Sequence, residues 1–192
     1  MKGGLIGRFP VYVQTTFSTQ EEKWSYFLNV IKEINEGVYH FITNAPDGTL
    51  RILGPYKRKK SEMVIISSPF PFLFSQLLLT LPRRFKSKVS ADDPYTEIVQ
   101  VSDLFGKPGD YYIISDDLIN LSQVAKEFEQ FTGIQVTPKY IPLEFKNMKG
   151  KKYYLYRALT SETVALIKFI RFSGVGRQRS FSNKDVLIYA VQ

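Results

Sequence analysis

The sequence predicts an α+β protein of two ferredoxin-like (RRM-like) βαββαβ domains in tandem, each on an antiparallel sheet. Three observations lead there. Strand-like runs rich in Val, Ile, Tyr and Phe alternate with segments whose apolar residues recur at helical spacing, in the order β-α-β-β-α-β. That order occurs twice along 192 residues, a length suited to two small domains or one larger one. Hydrophobic residues make up 44% of the chain, enough for packed cores. The halves share a pattern without a sequence repeat, so a single α+β domain with one larger antiparallel sheet is the competing arrangement.

The first domain is assigned to residues 1–105. Leu5 to Phe17 alternates through Val11, Val13 and Thr15 and reads as a strand. Ser18 and Thr19 precede Gln20-Glu21-Glu22, an N-cap followed by first-turn acids. Trp24, Phe27, Leu28 and Ile31 then mark one apolar helix face, with Gly37 as its stop. Asp47-Gly48 signals a turn. Leu50 to Leu53 and Met63 to Ile66 read as strands around a basic tip at Lys57-Arg58-Lys59-Lys60. Phe72 to Leu81 has helical length and ends at Pro82. Glu97 to Val101 alternates as a closing strand.

The second domain is assigned to residues 106–192, after a turn spanning Gly106 to Gly109. Tyr111 to Ile114 reads as a strand. Asn120 or Ser122 caps a helix whose apolar face carries Leu121, Val124, Ala125 and Phe128. Val136 to Phe145, interrupted by Pro138 and Pro142, is an irregular strand region. Lys149-Gly150-Lys151 turns into Tyr153 to Tyr156. Thr160-Ser161-Glu162 opens a last helix with Leu166, Phe169 and Ile170 inward. Val186 to Val191 closes the chain as a strand.

Composition narrows the functional classes. Lys and Arg total 26 against 18 acids, for a formal charge of +8, which places a positive field over part of the surface. The bland account is a soluble protein that happens to be basic. Cysteine is absent and histidine occurs once, at His40, so thiol chemistry and Cys/His metal sites are excluded and no metal or cofactor is expected. The longest apolar stretch, Phe70 to Leu81, is broken by polar residues and Pro71 and is too short for a bilayer, which needs about 20 residues. The expectation is a soluble, cytoplasmic protein without a membrane partner.

The stretch from Phe172 to Lys184 is the most informative. Gly174 and Gly176 permit sharp turns and exposed N–H groups that suit an anion. Arg177 and Arg179 can meet phosphate in fork geometry, and Phe181 can stack on a base. A plain helix C-cap at Gly174 with a solvated loop explains the same residues. Further basic clusters lie at Lys57, Arg58, Lys59 and Lys60; at Arg83, Arg84, Lys86 and Lys88; and at Lys146, Lys149, Lys151 and Lys152. Tyr56 and Tyr153 are interleaved with two of them, as base-stacking platforms require. Such clusters also serve as ordinary solvated faces. Asp92-Asp93 and Asp116-Asp117 precede turn or helix signals and read as caps.

Gly174-Val175-Gly176-Arg177-Gln178-Arg179-Ser180-Phe181, near the C-terminus and after a helix, resembles the glycine-rich loop of CRISPR-associated repeat-processing endoribonucleases. These belong to the RAMP superfamily of tandem ferredoxin-like RNA binders. The family pattern usually finishes with another Gly-x-Gly, where Ser182-Asn183-Lys184 stands here; loop 174–184 is therefore diverged.

The resemblance implies an RNA partner (CRISPR repeat or guide RNA), with effector-complex subunits as further possible partners. It also implies metal-independent cleavage by attack of a ribose 2′-OH on the adjacent phosphorus. Members often carry a catalytic His in the loop after the first helix, the place of Tyr39-His40. His40 is then the acid or base, and Tyr39 or a lysine among 57–60 fills the other role. An ordinary loop histidine, a non-cleaving subunit that clamps guide RNA, and a basic virus-encoded protein-binding module remain as alternatives.

Overall fold

The computed structural model describes residues 3–192. It divides into two compact units, one made of Ile6–Ile98 with Arg177–Asn183, the other of the stretch up to Leu5, Val99–Gly176 and Lys184–Gln192. Two four-stranded antiparallel sheets replace the single larger sheet of the competing arrangement.

In the first unit the elements run β1 (Leu5–Val13), α1 (Gln20–Ile34), α2 (Glu36–Asn44), β2 (Arg51–Lys57), β3 (Glu62–Ser68), α3 (Pro71–Arg84) and β4 (Glu97–Gln100). The sheet order is β2-β3-β1-β4, the ferredoxin-like arrangement. Alternation sends Phe9, Val11, Val13, Ile52, Val64 and Ile66 to one face, against Phe27, Val30 and Ile31 of α1 and Leu73, Phe74, Leu77 and Leu81 of α3. Each such side chain contributes about 1.5–3 kcal/mol when fully buried. Leu53, Met63 and Ile65 form a second buried group with Tyr12 and Tyr56 packed against it.

The second unit runs β5 (Gly109–Ser115), α4 (Leu121–Thr132), β6 (Tyr140–Met148), β7 (Lys151–Ala158), α5 (Ser161–Ser173) and β8 (Leu187–Ala190). Its sheet order, β6-β7-β5-β8, is equivalent to that of the first. Leu121, Val124 and Phe128 of α4 and Val164, Phe169 and Ile170 of α5 are buried with Tyr111 and Ile113 of β5. Phe128 meets Phe169 edge-on, ring centroids 5.0 Å apart.

Helix starts follow the capping residues. The Thr19 hydroxyl accepts the Glu22 N–H, and the Glu22 carboxylate returns to the Ser18 N–H. Asn120, rather than Ser122, caps α4 by accepting from Ser122 and Gln123. Thr160 caps α5 by accepting from Thr163.

Two boundaries differ from the sequence expectation. α1 ends at Asn35, not Gly37: Asn35 is extended, its N–H closes α1 on the Ile31 carbonyl, and its side chain accepts from Val38 to open α2. Gly37 therefore lies in the first turn of α2, and Tyr39-His40 is helical rather than in a loop. Pro82 does not end α3, which continues to Arg84. The proline forgoes one intrahelical bond, while Leu81 and Pro82 are both buried.

Candidate nucleic-acid interface

The glycine-rich loop leaves α5 at Gly174, whose N–H closes the helix on Ile170 and whose φ of +64° suits glycine. Gly176 also has positive φ, +85°, and a Cβ there would collide with the Asp117 side chain. Lys184 donates to the same Asp117 carboxylate at 3.1 Å. Asp117 thus braces both ends of the loop within the second unit, a role beyond the capping expected of it.

Arg177–Asn183 belongs to the first unit and is fastened there by main-chain contacts. The Asp47 carboxylate accepts the Arg179 N–H at 3.1 Å and the Ser180 N–H at 2.9 Å. Gly48 donates to the Ser180 hydroxyl at 2.8 Å, and Ile52 N–H to the Ser180 carbonyl at 2.9 Å. Asn183 Oδ1 accepts from Gly54 N–H at 2.9 Å and from the Tyr56 hydroxyl at 3.1 Å. The Gly174 N–H expected to face an anion is taken by the Ile170 carbonyl, and the Arg179 and Ser180 N–H groups are taken by Asp47. Of the loop side chains suited to an anion, Arg177 and Gln178 are exposed and Arg179 is half-buried.

Phe181 is half-buried beside Trp24, ring centroids 6.4 Å apart. Together with Leu28, Thr43, Leu50 and Ser180 they line a cleft of about 320 Å³. His40 lies one turn before Thr43 on α2, whose hydroxyl donates to the His40 carbonyl at 3.1 Å. The imidazole is exposed, with Nε2 3.8 Å from the Glu36 carboxylate. The Tyr39 ring stands edge-on to it at 5.3 Å, and the Lys32 ammonium lies 5.1 Å from the Tyr39 ring centre.

Lys23 was invisible in the sequence as anything but a helix-surface residue. It is fully buried and donates from Nζ to the Gly54 carbonyl at 2.9 Å and to Gln20. Burial pushes its ammonium down to about 8. Gly54 is thereby held from both sides, by Lys23 on its carbonyl and Asn183 on its N–H.

The basic clusters are partly committed elsewhere. Lys57, Arg58, Lys59 and Lys60 are exposed at the β2–β3 tip, but the Arg58 guanidinium lies over Tyr95 at 5.2 Å and donates to its hydroxyl. Arg83 and Arg84 occupy the last turn of α3, with Arg84 3.7 Å from Glu33. In the second unit Lys151 pairs with Asp116 at 2.9 Å, and Lys152 donates to the Asp116 carbonyl. Among the described residues no group of three His, Asp or Glu side chains is placed to hold a metal ion, and no helix is long and apolar enough to cross a membrane.

No protein-family model and no curated protein matches this sequence. Solved structures do. A Cas6 product complex superposes with a TM-score of 0.63 at 14% identity, covering 97% of this chain and 100% of its own. The chain has the Cas6 fold. A second Cas6 product complex gives 0.61 at 9% identity over 97% of this chain and 99% of the other. Cas6 of Thermus thermophilus gives 0.56 at 10% identity over 96% and 98%. These values make the likeness one of backbone, covering the residues of both units.

Proposed function

We propose that this chain binds CRISPR repeat RNA through the glycine-rich loop and cuts it without a metal. The observation that carries the reading is the loop segment Arg177–Asn183, fastened to Asp47 through Arg179 and Ser180 and to Gly54 through Asn183, whose Ser180 and Phe181 line an aromatic cleft with Thr43 of α2, one turn after the exposed His40. The Cas6 fold supports it, since two of the matching structures are product complexes.

In this mechanism a base takes the ribose 2′-OH proton and the oxygen attacks the adjacent phosphorus. An acid protonates the departing 5′-oxygen, leaving a 2′,3′-cyclic phosphate. Imidazole suits either transfer, and His40 is exposed to receive substrate. Tyr39, whose ring packs edge-on against the imidazole, is the partner for the other proton transfer. Arg177, Arg179 and the lysines at the β2–β3 tip neutralise phosphate.

A second reading, a non-cleaving subunit that holds guide RNA in an effector complex, is favoured by one observation. Ser182-Asn183-Lys184 stands where the family loop usually ends in Gly-x-Gly, and Asn183 fastens that half of the loop onto β2. One experiment separates the two: labelled repeat RNA incubated with wild type, His40→Ala and Arg177→Ala in EDTA. The expected outcome is a cyclic-phosphate product from wild type, cleavage slowed roughly a hundredfold or more in His40→Ala with binding retained, and weakened binding in Arg177→Ala. Tight binding with intact RNA selects the clamp. Equal cleavage by wild type and His40→Ala removes His40 from the site.

A further inference from the structure

In the second unit's sheet the side chains divide cleanly between two faces. Tyr111 and Ile113 of β5 and Tyr154 and Tyr156 of β7 are buried with the helices. The alternate residues face the other way. The β5–β7 register sets Tyr112 opposite Leu155 and Ile114 opposite Tyr153, so Tyr112 and Tyr153 are diagonal neighbours on one face of the two central strands. Such diagonal pairs stand about 7–8 Å apart. Tyr112 is also paired in register with Tyr189 of β8; the two are 41% and 53% exposed. Large aromatics at that exposure forgo burial that the same strands give to their neighbours.

Tyr112, Tyr153 and Leu155 line a shallow cleft of about 150 Å³, closed at one side by Lys146 and Met148 of β6. The β6–β7 hairpin that forms this edge carries Lys146, Lys149, Lys151 and Lys152 against the single acid Glu144. Lys146 pairs with Glu144 at 2.9 Å and Lys151 with Asp116 at 2.9 Å. Pairs this exposed contribute little, so either ammonium can turn to a phosphate at small cost. Charges interrupt the apolar area, which suits a polyanion with flat apolar faces better than a protein core.

We propose that this face is a base-stacking platform for single-stranded RNA, with Tyr112 and Tyr153 each taking one of two successive bases and the hairpin lysines following the backbone. Aromatic side chains on a four-stranded sheet bind unpaired bases in this way, because a splayed base offers a π-face whatever its sequence. The platform is separate from the glycine-rich loop, and it rests on the reading that the chain binds RNA.

The test measures affinity for a short single-stranded oligouridine and for a repeat hairpin, using wild type, Tyr112→Ala/Tyr153→Ala and Tyr112→Phe/Tyr153→Phe. Stacking predicts that the alanine pair loses roughly a hundredfold or more for the single strand, since each stacked base contributes about 1–3 kcal/mol. The phenylalanine pair, which keeps both rings, should bind close to wild type. Photocrosslinking of wild type to 4-thiouridine-substituted RNA should map to Tyr112 or Tyr153, which keeps the proposal testable if the alanine pair misfolds. Hairpin binding by wild type together with unchanged single-strand binding by the alanine pair overturns the platform and leaves the RNA reading standing. Wild type that binds neither RNA overturns both. Self-association abolished by the alanine pair, with no crosslink at either tyrosine, makes the face a contact between copies of this chain and overturns the proposal.

Discussion

The two sheets share one strand order yet use the face away from their core helices in opposite ways. In the first unit that face carries Arg8, Arg51, Leu53, Met63 and Ile65, all within 4% of fully buried. In the second it carries Tyr112 and Tyr189, 41% and 53% exposed. The difference teaches that topology sets which residues share a face and leaves open what the face is for. Aliphatic residues there add stability, whereas exposed aromatics with lysines at the edge keep a surface ready for a ligand.

Substitution should expose that contrast most strongly. Ile65→Ala, at 4% exposure, should cost about 2–5 kcal/mol in denaturant unfolding, through lost burial and a cavity. Tyr112→Ala should cost at most about 1 kcal/mol, because its ring is already largely in water. Comparable losses at the two positions would break the comparison.

The helical layers differ in a way that pH should reveal. Four residues after the cap of the first helix stands Lys23, fully buried; four after the cap of α4 stands Val124, 3% exposed. The Lys23 ammonium sits at about 8 in the folded chain against 10.5 ordinarily. Between those values the folded chain holds fewer protons than the unfolded one, so stability rises with pH across that window. The rise should reach roughly 3 kcal/mol at most, with a lower plateau below it. Unfolding curves from pH 7 to 10.5 should show this slope in wild type and lose it in Lys23→Met. An identical slope in both chains would show that Lys23 is not its source.

The smallest effect expected is one the two units share. Thr19→Ala and Asn120→Ala each remove a side-chain acceptor at a helix N-terminus, and each should cost about 1 kcal/mol. A cap loss near zero in one unit and not the other would show that tertiary packing there already holds the first turn.

Local physics made much of this protein legible. The strand pairs, the Thr19 and Thr160 caps and the inward faces of α1, α4 and α5 all follow from alternation, helical spacing and hydrogen bonds spanning a few residues. One local signal marks the start of α2: Asn35, an N-cap residue directly before Glu36, accepts the Val38 N–H and so places His40 on a helix rather than in a loop. The glycine-rich loop was recognisable by its residues, but its fastening was not.

The clasp joins Asp47 to Arg179 across 132 positions, and the second anchor joins Gly54 to Asn183 across 129. Nothing near either residue in the chain encodes those partners, and Asp47 alone reads as a turn former. The burial of Lys23 is of the same kind, since only folding brings the Gly54 carbonyl of β2 to its ammonium across 31 positions. The sequence by itself determined the elements, their order and their apolar faces, because those depend on neighbours within a turn or a strand. The tertiary structure decided which N–H groups remain for a ligand, which lysine enters the core and which tyrosines stay in water, because each depends on the surface that a distant segment covers or leaves open.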